Sequence, residues 1–195
     1  MGLYSGTDTV EITDCIFFEN QAGETGEEDV GVLKISETVV DLDGCAFDGN
    51  IAASTGAIWI SGESSVVTVT DSQFDNHVGG AIVIQTGELA VSSSGFSGNS
   101  NDGTGGGAVL VKGHSLYAPP VASFADSTFA NNSARWGGAI YVLGVHGFPA
   151  TLDIDGCTIT DGSVTGKGAG VYSSNSETTM TNCELSGNTV SGKTS

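Results

Sequence analysis

The chain of 195 residues sets five Lys and Arg against twenty-three Asp and Glu, a formal net charge of -18, and carries 30 glycines but only three prolines. So acidic a surface disfavours nucleic acid and anionic lipid as partners. No apolar run is long enough to cross a bilayer, no signal-peptide pattern opens the chain, and no stretch sustains helical periodicity, so this segment is not expected to insert directly into a membrane.

Taken in chain order, one frame recurs: x-[Cys/Ser]-x-[Phe/Ile/Leu]-x-x-Asn. It stands at Cys15-x-Phe17-x-x-Asn20, Cys45-x-Phe47-x-x-Asn50, Ser72-x-Phe74-x-x-His77 and Ser94-x-Phe96-x-x-Asn99. Further copies are Ser127-x-Phe129-x-x-Asn132, Cys157-x-Ile159-x-x-Gly162 and Cys183-x-Leu185-x-x-Asn188. The residues five and three before each Cys/Ser are Val10/Ile12, Val40/Leu42, Val67/Val69, Leu89/Val91, Ala122/Phe124, Leu152/Ile154 and Thr178/Met180. Their alternation predicts a half-buried strand. A corner residue follows (Asp14, Gly44, Asp71, Ser93, Asp126, Gly156, Asn182), then a second short strand that buries the Cys/Ser and the aromatic position. After the Asn and a loop of variable length comes a third strand burying Leu33/Ile35, Ile58/Ile60, Ile82/Ile84, Val109/Val111, Ile140/Val142 and Val171/Ser173, usually introduced by Gly-Ala.

Three short strands in each repeat of about 22–33 residues predict an all-β fold: a right-handed parallel β-helix of about six to seven coils. Like residues then stack on like. Each buried phenylalanine ring contributes about 1.5–3 kcal/mol, and aromatic neighbours add roughly 0.5–1.5 more. The asparagines are expected to turn the corners in αL geometry and to bond to the neighbouring coil. The paired glycines before Ala admit positive φ or close backbone approach. These motifs therefore read as scaffold.

All four cysteines occupy the same repeat position, as the neighbouring pairs Cys15/Cys45 and Cys157/Cys183. Buried thiols acting as small apolar residues and disulfides between coils both fit this placement. At the ends, Gly2-Leu3-Tyr4-Ser5 matches Gly170-Val171-Tyr172-Ser173, and the sequence stops after Asn188 before another third strand. The expectation is a single segment over residues 1–195 with an incomplete coil at each end, cut from a longer array. Complementary ends would alternatively allow head-to-tail self-association into filaments.

The alternation of Phe-x-x-Asn with Gly-Gly-Ala-[Ile/Val] resembles the polymorphic outer membrane protein repeats of chlamydial-type autotransporter adhesins. Complete first motifs stand at Phe17–Asn20, Phe47–Asn50, Phe96–Asn99 and Phe129–Asn132, and complete second motifs at Gly79–Ile82, Gly106–Val109 and Gly137–Ile140. The resemblance implies an extracellular, surface-exposed passenger β-helix used in adhesion.

Three surfaces are candidates for function. The outward column of the third strand reads Tyr4, Lys34, Trp59, Val83, Leu110, Tyr141, Tyr172, beside loops carrying Tyr117 and Phe148 and the pair Arg135-Trp136. Exposed, these aromatics would suit a glycan or protein partner; the loops could equally fold over the column and bury it. On the first strand, Glu11, Asp41 and Asp43 project outward from adjacent coils. Stacked carboxylates raise one another's pKa and serve glycoside hydrolysis, so a carbohydrate-active β-helix enzyme is the alternative to a solvated acidic face. The acidic loop Glu24, Glu27, Glu28, Asp29 and the turn from Asn99 to Gly103 offer oxygens to calcium, though neither follows a known calcium motif. No other cofactor or metal is expected. The functional expectation is a non-catalytic cell-surface or secreted segment, extracellular or at a bacterial surface, acting as adhesin passenger or structural spacer.

Overall fold

The computed structural model describes residues 2–4, 9–22, 31–52, 56–103 and 105–191. Among them there is no helix; parallel strands wind into a β-helix of about six turns. The first face stacks Thr9–Thr13, Val39–Asp43, Val66–Thr70, Glu88–Ser92, Val121–Ala125, Ala150–Asp155 and Ser176–Thr181. The second stacks Ile16–Phe18, Ala46–Asp48, Gln73–Asp75, Gly95–Ser97, Thr128–Ala130, Thr158–Thr160 and Glu184–Ser186. The third stacks Gly2–Tyr4, Leu33–Ser36, Ile58–Ser61, Ile82–Ile84, Val109–Lys112, Ile140–Leu143 and Val171–Ser174.

Three strands per coil describe the early turns, but a fourth short sheet develops after the Asn corner: Ser100–Asn101, Ser133–Trp136, Ser163–Lys167 and Thr189–Val190. Single bridges through Gln21, Ile51, Val78 and Ser100 carry the same column back to the first coil. These segments lack an apolar alternation, so nothing in their side chains announces a strand.

The inward positions pair as the repeat requires, for example Val40 with Val67, Leu42 with Val69, and Ile58 with Ile82. Most are fully buried between coils. At the first strand the register differs from the sequence alignment: Gly2 pairs with Lys34 and Tyr4 with Ser36, so Tyr4 does not join the Lys34 column. A shift of two residues keeps the backbone pairing of a parallel ladder in phase, which is why a short strand accepts it.

The phenylalanines form the expected column. Phe47, Phe74, Phe96 and Phe129 stack at 4.8 Å between successive centroids, within 7° of parallel. That spacing is the strand-to-strand distance of a sheet, so ring packing and backbone pairing share one repeat. Phe124 closes the column edge-on, 5.4 Å from Phe129.

Two ladders of side-chain hydrogen bonds flank this column. In the asparagine ladder the Asn99 Oδ1 accepts from the His77 N–H at 3.0 Å, while its Nδ2 donates to the Phe74 carbonyl at 2.9 Å. Asn132 repeats the pattern on Asn99 and Phe96. The left-handed conformation expected of these asparagines belongs instead to the residue before each: Glu19, Gly49, Asn76, Gly98, Asn131, Asp161 and Gly187. The corner must be turned one step earlier so that the Asn amide can point along the helix axis at the preceding coil. At the other corner the expected residues, from Asp14 to Asn182, do have positive φ.

The second ladder runs through the Cys/Ser position. Ser72 Oγ donates to the Thr70 carbonyl at 2.8 Å and accepts from the Cys45 N–H at 3.0 Å. Ser94 and Ser127 do the same one and two coils on, and Cys157 Sγ accepts from the Ser127 N–H at 3.4 Å. All four cysteines are free thiols. They act as longer, weaker hydroxyls as well as apolar filler, which accounts for the exchange of Cys and Ser along the repeat. Burial pushes the Cys45 and Cys157 thiols up from their ordinary range.

Candidate functional site

Since the repeat motifs are spent on the core, the chemistry open to a partner lies on the outward side chains and the long loops. On the third face the register aligns Lys34, Trp59, Val83, Leu110, Tyr141 and Tyr172 in one outward column. Trp59, Val83, Leu110 and Tyr141 are buried and Tyr172 is half-buried. The column is thus a second, external apolar cluster, and most of its surface is covered.

Two devices cover it. At the C-terminal half Trp136 packs 6.1 Å from Tyr141, which stacks on Tyr172 at 5.3 Å. Arg135 lies over the Trp136 ring, 4.3 Å from its centroid, and is itself exposed. A small cavity of about 190 Å³ remains among Leu110, Lys112, Trp136, Tyr141, Leu143 and Gly103. Burial raises the Tyr141 phenol, with the neighbouring Tyr172 adding to it.

At the N-terminal half the segment from His114 to Pro120 reaches back across the coils, and the Ala118 N–H donates to Glu63 Oε1 at 3.0 Å. His114 accepts from the Leu116 N–H at 3.2 Å and lies 5.0 Å from the Tyr117 ring, which shapes the tip. Between this overhang and the sheet lies a groove of about 990 Å³. Lys34, Trp59, Ser61, Gln85 and Thr86 line it from the coil, Glu37, Gly62, Glu63 and Ser64 from the adjoining turns, and Leu116 and Tyr117 from the loop. The Lys34 ammonium sits 4.7 Å from the Trp59 ring centroid. The indole Nε1–H of Trp59 is buried with no hydrogen-bond partner. Glu37 accepts from the Ser64 hydroxyl and, at 3.1 Å, from its backbone N–H; these bonds hold its carboxyl below the ordinary range.

The structure therefore brings Trp59 and Tyr117 to one groove and gathers Tyr141, Tyr172, Trp136 and Arg135 into a separate cluster. Phe148 stands apart, about half exposed on a tight turn closed by paired bonds with Val145. Sequence reasoning missed Glu37, Glu63, Ser64 and Gln85, which sit in or beside turns between strands. The one signal for them was their neighbourhood to Lys34 and Trp59 in the repeat register.

On the first face Glu11 pairs in register with Asp41, and Asp43 lies two residues further along the same strand. Glu11 and Asp43 are exposed and Asp41 is partly covered. Asp43 accepts from the Thr70 hydroxyl at 2.6 Å. A further stacked pair, not singled out from the sequence, lies on the second face: Asp75 stacks on Asp48, and burial first, then the Asp48 charge, raises the Asp75 pKa.

The acidic loop of Glu24, Glu27, Glu28 and Asp29 lies outside the described residues. In the other calcium candidate, Asn99 belongs to the core ladder and the Asn101 amide donates to the carbonyls of Gly79 and Gly105. Among the described residues no three His, Cys, Asp or Glu are grouped to hold a metal, and no helix is long and apolar enough to cross a membrane.

Residues 126–143 match the Chlamydia polymorphic membrane protein repeat. The match runs from the second-face corner at Asp126 through Phe129 and Asn132 to the third-face strand Ile140–Leu143, so it spans both motifs and the turn between them. The repeat associates the chain with outer-membrane and cell-surface proteins. No curated protein and no solved structure matches the chain.

Proposed function

We propose that this chain, carrying a repeat of surface-associated membrane proteins, is a non-catalytic adhesin passenger segment that makes its contacts through the third-face groove and the loops around it. The observation that carries this reading is the division of labour in the repeat. Phenylalanines, asparagines and the Cys/Ser position are committed to ladders inside the coil, while a groove of about 990 Å³ is built from outward third-face side chains, turns and a long loop. A rigid solenoid that presents side chains from loops and one face suits display of a binding surface.

The alternative, a carbohydrate-active enzyme, draws support from the stacked Asp48 and Asp75. Adherence of the purified chain to intact cells, together with its turnover of acidic and neutral polysaccharides, separates the two. The adhesive reading expects saturable adherence, weakened about tenfold or more by Tyr117→Ala, and no turnover. Polysaccharide cleavage abolished by Asp75→Asn or Asp41→Asn would establish the enzyme. Absence of saturable adherence would leave the segment a spacer.

A further inference from the structure

Resting on that adhesive reading, we infer that the groove beneath the His114–Pro120 overhang takes a neutral oligosaccharide. Its volume of about 990 Å³ lies at the top of the roughly 300–1,000 Å³ range of small-molecule sites, larger than a single sugar ring needs. The floor is rigid: Lys34 and Trp59 sit in strands paired on both sides, with the ammonium over the indole. Above it Tyr117 is 51% exposed, so its ring can stack on the apolar face of a sugar.

The polar lining matches hydroxyl groups. A sugar hydroxyl both donates and accepts, and is best held by planar groups with two adjacent acceptors or an acceptor beside a donor. Glu37, Glu63 and Gln85 provide both kinds. The two carboxylates are already oriented, Glu37 by Ser64 and Glu63 by the Ala118 N–H, and each retains acceptor capacity. Ligand binding then orders little that is not ordered beforehand.

The same residues argue against other occupants. Two carboxylates face one lysine in a chain of net charge -18, which repels sulfated or sialylated chains. An extended peptide would bind most readily by adding a strand to an open sheet edge, yet the strands under the groove are paired to neighbours on either side.

The test is calorimetric titration and saturation-transfer NMR of the whole chain with maltotriose, cellotriose, mannotriose and chitotriose, against a heparin trisaccharide, a sialylated trisaccharide and an extended hexapeptide. At least one neutral trisaccharide should bind saturably, with the anionic probes and the peptide at least about tenfold weaker. Tyr117→Ala and Gln85→Ala should each weaken it about five- to twentyfold with Tm unchanged, while Asp153→Ala on the first face leaves it as it was. No saturable binding of any neutral trisaccharide up to about 10 mM, tighter binding of an anionic probe or peptide, or indifference to both groove substitutions would overturn the inference. Cell adherence that no neutral trisaccharide competes sinks the glycan inference alone; groove binding without adherence sinks the adhesive reading alone.

Discussion

His77 takes the place of an asparagine in the ladder by using a different atom. Its Nδ1 accepts from the Asn50 N–H at 3.1 Å where Asn99 and Asn132 use Oδ1, so the imidazole must be neutral there. The opposite nitrogen, Nε2, is buried with no partner, whereas the neighbouring asparagines donate to a phenylalanine carbonyl of the preceding coil. Burial accordingly pulls the His77 pKa from 6.5 down to about 4. The unfolded chain therefore takes up the proton first as pH falls. Stability is full above about pH 6.5 and declines toward pH 4, by on the order of 3 kcal/mol from this group. His77→Asn should restore the missing donor, gain about 1 kcal/mol at neutral pH, and remove this share of the pH dependence. Urea denaturation of both proteins at several pH values checks it; an unchanged slope between pH 6.5 and 4 would refute the assignment. The sequence showed His77 in the Asn column but not its role, because a column position identifies a neighbour and not which ring nitrogen meets it.

At the scale of the strand and its turns, the entry to the third face depends on close backbone contact. At Gly138 an added Cβ would stand 2.0 Å from the Ala169 carbonyl oxygen, with no positive φ involved. At Gly147 φ is +85° and nothing lies within 4 Å. The two glycines thus separate steric from conformational cost. Gly138→Ala should destabilise by roughly 3 kcal/mol or more through forced separation of coils, and Gly147→Ala by about 1 kcal/mol. Equal losses in denaturant midpoints would contradict the steric argument. The strands of all three faces were legible from alternation, and so were the corners from Asp14 to Asn182. The fourth sheet was not: segments such as Ser100–Asn101 and Ser163–Lys167 pair through backbone groups that any residue supplies.

Across the whole molecule, the described strands of each coil pair only with those of its neighbours, while the His114–Pro120 overhang reaches further, so a local defect in the core should spread by contact and not act uniformly. Phe96 lies between Phe74 and Phe129 at 4.8 Å on each side and is almost fully buried. Phe96→Ala should cost about 3–5 kcal/mol. In hydrogen exchange it should open the strands of Phe74 and Phe129 more than those of Phe17 and Ile159; a uniform loss along the array would show longer-range cooperativity. The sequence by itself determined the period, the inward set and hence the stacked columns, because along the central coils side-chain alternation and coil-to-coil pairing leave one register that buries the inward apolar positions. Only the tertiary structure decided which outward column is covered and where a groove is left. That outcome depends on the Ala118 amide meeting Glu63 across 55 positions of sequence, a contact that no periodicity encodes.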